Sequence, residues 1–578
     1  MKHGIALHDA IKAYTFDQDK ICTPEKTVKD FRTKLREIDL DLLEETVRID
    51  KGRLDIPVYF SVCGKDALDV IGTKKQMGKG GTPAQSEASA VMELAERFSF
   101  FSFCKNPANF IFEEYQNLES KTLPFESIAL SVHDESDDLE RAKDFFSRLP
   151  LRWTWGYNLT REEEVLIPFD WFYAINEFNG PSAGNCIEEA LSQGICEIVE
   201  RHVSSRISRE KINTPAIRLD SVTDPLTTEM INKYRKAGIK LFATDFSLDM
   251  GIPSVGVLAY DPSTFPERSE IVWTAGTTPD PQKSLSRALT EVAQLAGDFN
   301  TGANYVASGL PKFTRLEEAH FVMNSQDVVD ITHLPDLSHD NIKMEVEGMV
   351  AALAQKALDI VVIDTMQPQL RIPAFYTIVP GAHFRERAAG TSVGLFTAKL
   401  VAEREDKAWA FSELRRMDRL MPGKYYIKFY LGTITLSMGD PEEALRLLEE
   451  SLDLDPQGED KASVYSYMGQ CLKEMGQYDR ALSALEEGAR HDDDRTDIHN
   501  LMGFCHYKMK DHEKAIDCFR KVLQLDPSSA IDYANIASNY RDMGQKEKAI
   551  HFYSIALEMD PTIDFARENL LKLMGQLP

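Results

Sequence analysis

The segment Asn185-Cys-Ile-Glu-Glu189-Ala-Leu-Ser-Gln193-Gly-Ile-Cys-Glu197-Ile-Val-Glu200-Arg201 carries a row of polar side chains at helical spacing. Counted from Glu189 at about 100° per residue, Gln193, Glu197 and Glu200 fall within about 80° of one another. The apolar residues between them fall largely on other faces and can pack into a core. The pattern predicts a helix with a narrow acidic stripe.

A second segment, Ser89-Ala-Val-Met-Glu93-Leu-Ala-Glu96-Arg97, ends in the same E-x-x-E-R signature. A solvated acidic face is the commoner meaning of one such stripe, but a solvated face has no reason to repeat a pattern. Like charges at helical spacing repel, and the cost rises on burial. Divalent metal ions would remove that cost, and metals held by carboxylates commonly bind phosphate groups.

A third segment, residues 284–294, has helical periodicity and places Arg287, Glu291 and Gln294 on one side. An arginine beside metal-binding carboxylates would suit a polyphosphate, because its planar fork matches phosphate oxygens. The alternative is a surface ion pair at i,i+4, which contributes only tenths of a kcal/mol.

These segments resemble the YcaO family over roughly residues 20–395. The resemblance lies in GKGGT-x3-SEASAVMELAERFS, NGPSAGNCIEEALSQGICEIVERH and SLSRALTEVAQ. It implies an ATP site without a P-loop and an enzyme that phosphorylates the oxygen of a peptide backbone amide. A Cys, Ser or Thr side chain then attacks to give an azoline, or a sulfur donor attacks to give a thioamide.

Residue roles follow from the resemblance. The expected Mg²⁺ ligands are Glu93, Glu96, Glu189, Glu197 and Glu200. The expected contacts to ATP are Lys79, Ser89, Ser182, Asn185, Arg201 and Arg287. Arg201 is also expected to act in catalysis, as is Gln193, whose angle on the acidic stripe would let it orient a metal-bound water.

A P-loop was considered at residues 72–80, GTKKQMGKG. The gap is one residue too long for G-x4-G-K-[ST], and Gly80 stands where Ser or Thr would bind the metal. We therefore reject a P-loop and expect a glycine-rich turn around Lys79 whose N–H groups could face an anion.

Other reactive side chains give weaker signals. Cys186 and Cys196 lie in the acidic segment, but neither has a base placed beside it by sequence, and both are interpreted as small apolar spacers. His202 is interpreted as a packing residue, and His383 as a weak candidate on the substrate side. The Cys and His spacings fit no zinc motif.

Beyond residue 400 the pattern is helical and repetitive. Ala444, Ala481, Ala515 and Ala549 occupy equivalent places at intervals of about 34–37 residues, which resembles the tetratricopeptide repeat. About four repeats would bury a continuous core and present a concave groove to a protein or peptide. The alternative is a dimerisation or stabilising appendage.

Before residue 400, short β-rich runs alternate with helical patterns, which predicts an α/β or α+β domain followed by an all-α solenoid. The predicted division is an N-terminal extension packing on the core (1–54), a YcaO-like domain (55–398), a helical linker (399–423) and a repeat domain (424–578). Residues 105–165 are rich in charges and prolines and are expected to contain loops.

The composition of the chain limits the classes of molecule that it is expected to bind. The net charge of −26 argues against nucleic acid and against anionic membrane surfaces. No apolar run approaches the ~20 residues of a membrane span, and the N-terminus does not resemble a secretory signal. The eight cysteines form no C-x-x-C pair and are expected to be free thiols in a reducing cytoplasm.

Two functional hypotheses follow. The first is an ATP- and Mg²⁺-dependent enzyme acting on a peptide or protein amide, with the repeats docking substrate or partner. The second is a non-catalytic scaffold that binds nucleotide. The proline-rich tail common in cyclodehydratase members is not seen, which favours a thioamide-type member or an accessory factor for ribosomal-protein methylthiolation over an azoline-forming cyclodehydratase. The resemblance also implies a homodimer, and the chemistry allows a sulfur-delivery or precursor-binding partner protein.

Overall fold

The computed structural model describes residues 4–50, 52–73, 75–118, 121–300, 305, 309–384 and 391–575. Contacts between residues divide the chain into two compact units. The first comprises residues 1–139 and 147–393, and the second comprises residues 140–146 and 394–578.

The first unit contains three sheets in its described part. Their strands are Leu43–Arg48 (β1), Val58–Cys63 (β2), Lys75–Lys79 (β3), Ile111–Glu114 (β4), Pro150–Asn158 (β5), Glu163–Pro168 (β6), Pro181–Ala183 (β7), Ala216–Arg218 (β8), Lys240–Asp245 (β9), Ser254–Tyr260 (β10), Val272–Thr277 (β11), Val328–Asp330 (β12), Val361–Asp364 (β13) and Ala374–Ile378 (β14). The strand orders are β1-β2-β3, β11-β10-β9-β8-β12 and β4-β5-β13-β14-β7, with β6 paired to β5. Most of the pairings are antiparallel, and β8 with β12 is a parallel pair.

The α-helices described between residues 24 and 354 belong to the first unit, except that residues 140–146 belong to the second. They are Pro24–Ile38 (α1), Lys65–Ile71 (α2), Pro83–Lys105 (α3), Phe125–Ser131 (α4), Leu139–Ser147 (α5), Phe169–Asn176 (α6), Ile187–Glu210 (α7), Pro225–Lys236 (α8), Pro281–Ala296 (α9), His320–Met323 (α10) and Ile342–Ala354 (α11). Helices mixed with largely antiparallel sheets make the first unit an α+β fold.

The three helices predicted from the charged segments are α3, α7 and α9, and local signals set their ends. Thr82 caps α3 and Asp280 caps α9, each followed by proline in the first turn. Helix α7 ends where Lys211 adopts a left-handed conformation. Helix α3 packs on β2 and β3, α7 on β7 and β14, and α9 on β10 and β11, so each sheet supports one of the three helices.

Glycines in two strands allow this close packing. A Cβ on Gly78 of β3 would lie 2.1 Å from the backbone nitrogen of Ala90 in α3. A Cβ on Gly276 of β11 would lie 2.3 Å from the carbonyl oxygen of Ser284 in α9. The expected glycine-rich turn around Lys79 is therefore wrong, because Gly78 and Lys79 belong to a strand that needs glycine to approach a helix.

The region 105–165 is more regular than expected. It contains β4, α4, α5, β5 and the first half of β6, and β5 runs through the sheet between β4 and β13. Buried residues such as Leu151 and Trp153 anchor β5 in the first unit. Many of the charges that suggested loops lie within helices and strands, such as those of α5.

The second unit is helical throughout its described residues. Its helices after α5 are Val393–Ala402 (α12), Lys407–Leu420 (α13), Tyr425–Ser437 (α14), Pro441–Asp453 (α15), Gly458–Glu474 (α16), Tyr478–His491 (α17), Thr496–Lys508 (α18), His512–Leu525 (α19), Ala530–Asp542 (α20), Lys546–Met559 (α21) and Asp564–Leu573 (α22). From α14 to α21 they form four antiparallel pairs, and the four repeat alanines are each fully buried. No helix in the described ranges has the length and apolarity that a membrane crossing requires.

Candidate functional site

A cavity of about 500 Å³ lies within the first unit where α3, α7 and α9 converge. The end of β3, the loop before α7 and the N-terminal segment complete its wall. The predicted site residues that line it are Lys79, Ser89, Glu93, Glu96, Asn185, Glu189, Gln193, Glu197, Arg201 and Arg287. The structure thus brings together residues that the chain separates by up to about two hundred positions.

Helix α3 presents Glu93, Glu96 and Arg97 to the cavity. The Arg97 guanidinium lies 3.6 Å from Glu96 and 3.9 Å from Glu93. Although 34 % of the Glu93 side chain is accessible to water inside the recess, the surrounding protein raises its pKa, and burial raises the pKa of Glu96 further. Neighbouring carboxylates from the other helices add to this effect, which places the acidic groups close enough to interact.

Helix α7 supplies the longest row of polar side chains to the cavity. Glu189 accepts hydrogen bonds from the Asn185 backbone and side-chain amides at 3.0 and 2.8 Å. Two turns on, Glu197 accepts from the backbone nitrogen of Gly180 at 3.3 Å and lies 3.7 Å from Arg201. Arg201 donates to the Asn179 side chain at 3.0 Å, which orients its guanidinium along the cavity wall.

Helix α9 contributes Arg287 and Glu291. Arg287 donates to Gln193 at 3.4 Å, linking α9 to the acidic stripe of α7. Glu291 pairs with Lys79 from β3. Burial opposes ionisation of Glu291, but Lys79, Arg201 and Arg287 outweigh that cost and lower its pKa. Glu291 is therefore an ionised carboxylate of the cavity, a role that the sequence interpretation did not give it.

Ser182 and Glu200 lie outside the described cavity lining. The hydroxyl of Ser182 is buried against Gly194 and Thr377. Glu200, only 1 % exposed, lies beneath the wall between Arg201 at 3.6 Å and Arg287 at 3.5 Å, and accepts from the Thr277 backbone at 3.1 Å. Burial raises the pKa of Glu200 despite both arginines. In this arrangement Glu200 positions two cavity arginines, and its direct contact to metal stays a prediction.

The N-terminal segment forms a wall that the sequence did not predict. Gln18, Lys20 and Thr27 line the cavity. Lys20 lies 3.8 Å from Glu189, the Ile21 backbone donates to Glu189 at 2.7 Å, and Thr27 donates to Asn185 at 3.0 Å. Because these partners lie more than 150 residues apart, periodicity could not reveal them. Arg97 could have been found, since it ends the repeated E-x-x-E-R signature.

Polarity changes along the cavity. The first half of α3 lines it with Gln85, Ala88 and Met92, beside Met77 of β3 and Pro24 of α1. The second half of α3 lines it with carboxylates and Arg97. An apolar part next to a charged part matches a ligand with a flat organic group joined to an anionic chain.

The other reactive candidates are not among the described residues that line the cavity. Burial raises the pKa of both Cys186 and Cys196 to about 12, which keeps their thiols protonated near neutral pH. All eight cysteines are free, as expected. His202 accepts a hydrogen bond from the His383 backbone at 3.1 Å, and the His383 ring stacks on His133 at 3.7 Å. These histidines form a cluster outside the described cavity lining.

The donor set fits Mg²⁺ with a polyphosphate. Within the described ranges, no three carboxylate, thiol or imidazole side chains gather closely enough to hold a metal by themselves. Mg²⁺ does not need such a cage, because it commonly takes one or two carboxylates and fills its shell with water and phosphate oxygens. The Nε of Arg287 faces Glu200 at 3.5 Å, and the Nη1 of the same guanidinium reaches Gln193 at 3.4 Å on the cavity side.

A nucleotide-binding protein without a P-loop is the class that this cavity defines. A family model described as YcaO cyclodehydratase, ATP- and Mg²⁺-binding, matches residues 77–383, which is more than half of the chain. The chain therefore belongs to the YcaO family, whose members bind ATP and Mg²⁺. Tetratricopeptide repeat models match residues 435–503, 496–529 and 533–563, confirming the predicted repeats.

Similar proteins extend the comparison. An uncharacterized protein of Methanothermobacter thermautotrophicus is 26 % identical over 378 residues, covering 62 % of this chain and 93 % of that protein. The ribosomal protein S12 methylthiotransferase accessory factor YcaO of Escherichia coli is 29 % identical over 273 residues, covering 43 % of this chain and 46 % of that protein. This chain thus matches less than half of the accessory factor.

Among solved structures, a heterocyclase in complex with substrate and cofactor aligns with a TM-score of 0.54 at 21 % identity, covering 66 % of this chain and 55 % of that one. That likeness supports the fold. YcaO from Methanopyrus kandleri, bound with AMPPCP and Mg²⁺, aligns with a TM-score of 0.48 at 21 % identity, covering 64 % of this chain and 94 % of that one.

Proposed function

We propose that this chain uses ATP and Mg²⁺ to phosphorylate the oxygen of a backbone amide in a peptide or protein. The observation that carries the proposal is the convergence of carboxylates from α3, α7 and α9 with Arg201 and Arg287 in one cavity. Phosphoryl transfer needs positioning and charge neutralisation more than a protein nucleophile, which agrees with the protonated state of Cys186 and Cys196.

The cavity residues take separate roles in this proposal. Glu93, Glu96, Glu189, Glu197 and Glu291 would hold Mg²⁺, which supplies positive charge to the phosphate oxygens. Lys79, Arg201 and Arg287 would bind phosphate oxygens. The apolar part around Met77 and Met92 would hold the nucleoside. Glu200 would keep Arg201 and Arg287 in place. Gln193, which accepts a hydrogen bond from Arg287, would orient a metal-bound water.

The charge pattern of the cavity would allow its side chains to exchange ion-pair partners when Mg²⁺ and a polyphosphate bind. In the structure each of these five carboxylates has a basic side chain nearby, such as Lys79 beside Glu291 and Arg201 beside Glu197. A polyphosphate can replace the carboxylates beside the cations, and Mg²⁺ can replace the cations beside the carboxylates. The site then changes its contacts without leaving an unpaired buried charge, which would be costly.

The proposal has two versions, which differ in the group that attacks the activated amide. The identity to the S12 methylthiotransferase accessory factor supports a thioamide-type or methylthiolation accessory role. The cyclodehydratase description of the family supports azoline formation by a substrate side chain. Both versions share the ATP-dependent step. A sulfur-delivery partner protein would favour the thioamide-type version, and a precursor-binding partner protein would favour azoline formation. Docking of substrate or partner by the repeats belongs to either version.

Titration calorimetry of ATP into the full chain tests the shared step, first with Mg²⁺ and then with EDTA. We expect binding that requires Mg²⁺, together with slow release of ADP and phosphate. Glu197→Gln should weaken MgATP binding at least tenfold, about 1.4 kcal/mol, because it removes a cavity carboxylate. Glu210→Gln lies on the same helix at an exposed position and should bind as the wild type does.

The alternative outcomes are distinct. Equal binding by Glu197→Gln and the wild type would contradict the carboxylate site. Tight MgATP binding without any release of phosphate, even with candidate peptides, would favour a nucleotide-binding scaffold over an enzyme.

A further inference from the structure

The second unit contains a groove on the inner side of its repeats, with a volume of about 810 Å³. We call it the repeat groove. It is bounded by α12, the start of α13, and the first helices of two successive repeats, α14 and α16. Its wall includes Lys399, Lys407, Phe429, Tyr430, Tyr467 and Gln470. The inference about this groove deepens the docking role proposed above, and because the whole groove belongs to the second unit, its binding can be measured separately from ATP binding.

Repeat symmetry explains why aromatic side chains gather there. Gly432, Gly469 and Gly503 are equivalent residues, each packed tightly against the second helix of its own repeat. The residue two places earlier is Tyr430 in the first repeat and Tyr467 in the second. Phe429 and Tyr467 meet edge to face, with ring centroids 5.4 Å apart, so the two repeats form one continuous aromatic surface.

The third repeat carries a further aromatic ring, which has positive charge beside it. Phe504 follows Gly503, and the Nζ atoms of Lys473 and Lys508 lie 5.1 and 5.2 Å from the centroid of its ring. Two ammonium groups from neighbouring repeats therefore approach one ring on the same line of helices.

Acidic groups along this line are already paired. Glu403 lies 3.9 Å from Lys399, and Glu474 lies 2.9 Å from Lys473. In the groove wall itself, Lys399 and Lys407 balance Glu403 and Glu474, and Lys473 and Lys508 beyond the wall add two positive charges. This contrasts with the net charge of −26 on the whole chain.

We infer that the repeat groove binds an extended segment of a partner protein that carries acidic residues beside a large apolar side chain. The apolar side chain would rest on Phe429 and Tyr467, where aromatic contacts give most of the affinity. Gln470 and Thr433 offer hydrogen bonds to the backbone of an extended peptide. The acidic side chains would reach Lys473 and Lys508, since complementary charge directs register and partner choice.

A selection from a phage-displayed library of random dodecapeptides on the immobilised full chain tests this inference. We expect enrichment of peptides that combine Asp or Glu with at least one Phe, Tyr, Trp, Leu, Ile or Met. The most enriched peptide is then synthesised with a fluorescein label, and its affinity is measured by anisotropy. Lys473→Glu combined with Lys508→Glu should weaken that peptide at least tenfold, about 1.4 kcal/mol.

The control is Lys514→Glu, which reverses an exposed charge on α19, a second helix of the repeats, and should leave the affinity unchanged. Circular dichroism checks the helical content of each variant. If the double variant loses its helices, the single variant Lys508→Glu replaces it in the anisotropy measurement, because that side chain is exposed. Enrichment of basic or purely polar peptides, no enrichment over blank resin, or equal binding by the reversed-charge variant would each overturn the inference.

Discussion

At the residue scale, the cavity is organised by opposite charges that come from distant parts of the chain. Lys79 pairs with Glu291, Lys20 lies beside Glu189, and Glu200 lies between Arg201 and Arg287. Such pairing lets many buried carboxylates coexist, because an unpaired buried charge would be strongly unfavourable. The same pairing leaves the groups ready to bind a metal and an anion.

Single residues elsewhere in the first unit predict how its stability depends on pH. Burial lowers the pKa of His202 to about 4, helped by Arg206 and His133 and opposed by Asp249. Since the unfolded pKa is about 6.5, the unfolded state binds the proton more readily. The stabilising contribution is complete above about pH 6.5 and is lost as the pH falls towards about 4, with a total of about 3 kcal/mol.

His202→Asn should therefore reduce the loss of stability between about pH 7.5 and about pH 4.5, because asparagine can accept the His383 hydrogen bond without titrating. Urea unfolding followed by tryptophan fluorescence measures the difference. His320→Asn changes an exposed histidine of the same unit and should keep the wild-type pH dependence. An unchanged pH dependence in His202→Asn would show that other groups dominate acid unfolding.

At the element scale, glycine allows two strands to pack closely against helices. Gly78 lets β3 lie against α3, and Gly276 lets β11 lie against α9. The consequence for the cavity is direct, because β3 carries Lys79 and α3 carries Glu93 and Glu96. A small change in the packing of strand on helix would therefore move charged groups relative to one another.

Gly78→Ala should lower the free energy of unfolding by about 1–3 kcal/mol, because its Cβ would collide with backbone atoms of Ser86 and Ala90. It should also weaken MgATP binding by shifting Lys79. Urea unfolding and calorimetry measure the two effects. The control is Gly348→Ala in α11, where the nearest atom would be an ordinary 3.7 Å away. Wild-type stability in Gly78→Ala would mean that β3 can move away from α3 without cost.

At the scale of the whole molecule, two units carry separate hydrophobic cores. The first unit includes a cluster around Tyr234, Leu285 and Val292, whereas the repeats have clusters around Leu485 and Tyr553. The cavity belongs to the first unit alone. A ligand that binds only a folded state stabilises that state by mass action.

MgATP should therefore raise the unfolding temperature of the first unit and leave that of the repeats unchanged. At a ligand concentration of about 100 times Kd, the stabilisation is about 2.7 kcal/mol. Four of the five tryptophans, Trp153, Trp155, Trp171 and Trp273, lie in the first unit, so fluorescence of a Trp409→Phe variant, which removes the one in α13, reports that unit. Helical circular dichroism gives more weight to the repeats. ATP with EDTA is the control. One transition that shifts as a whole in both signals would show that the units unfold together.

Local patterns in the sequence determined the helices and the types of group in the site. Helical spacing and capping residues suffice for α3, α7 and α9, and the 34-residue period suffices for the repeats, because these signals lie within a few turns of chain. Each of the three helices contains the charged residues of its segment. Ten of the twelve residues predicted for the site line the cavity, and their roles stay predictions.

Only the tertiary structure decided which of these groups meet and which are shielded. Lys20 and Thr27 join the cavity, while Glu200 and Ser182 lie behind its wall, although all four could have faced it by sequence. The strand at Lys79, the ordered region 105–165 and the inclusion of residues 140–146 in the second unit also depend on partners far along the chain. The physical reason is that burial and ion pairing are set by contacts between segments, which no periodicity within one segment encodes.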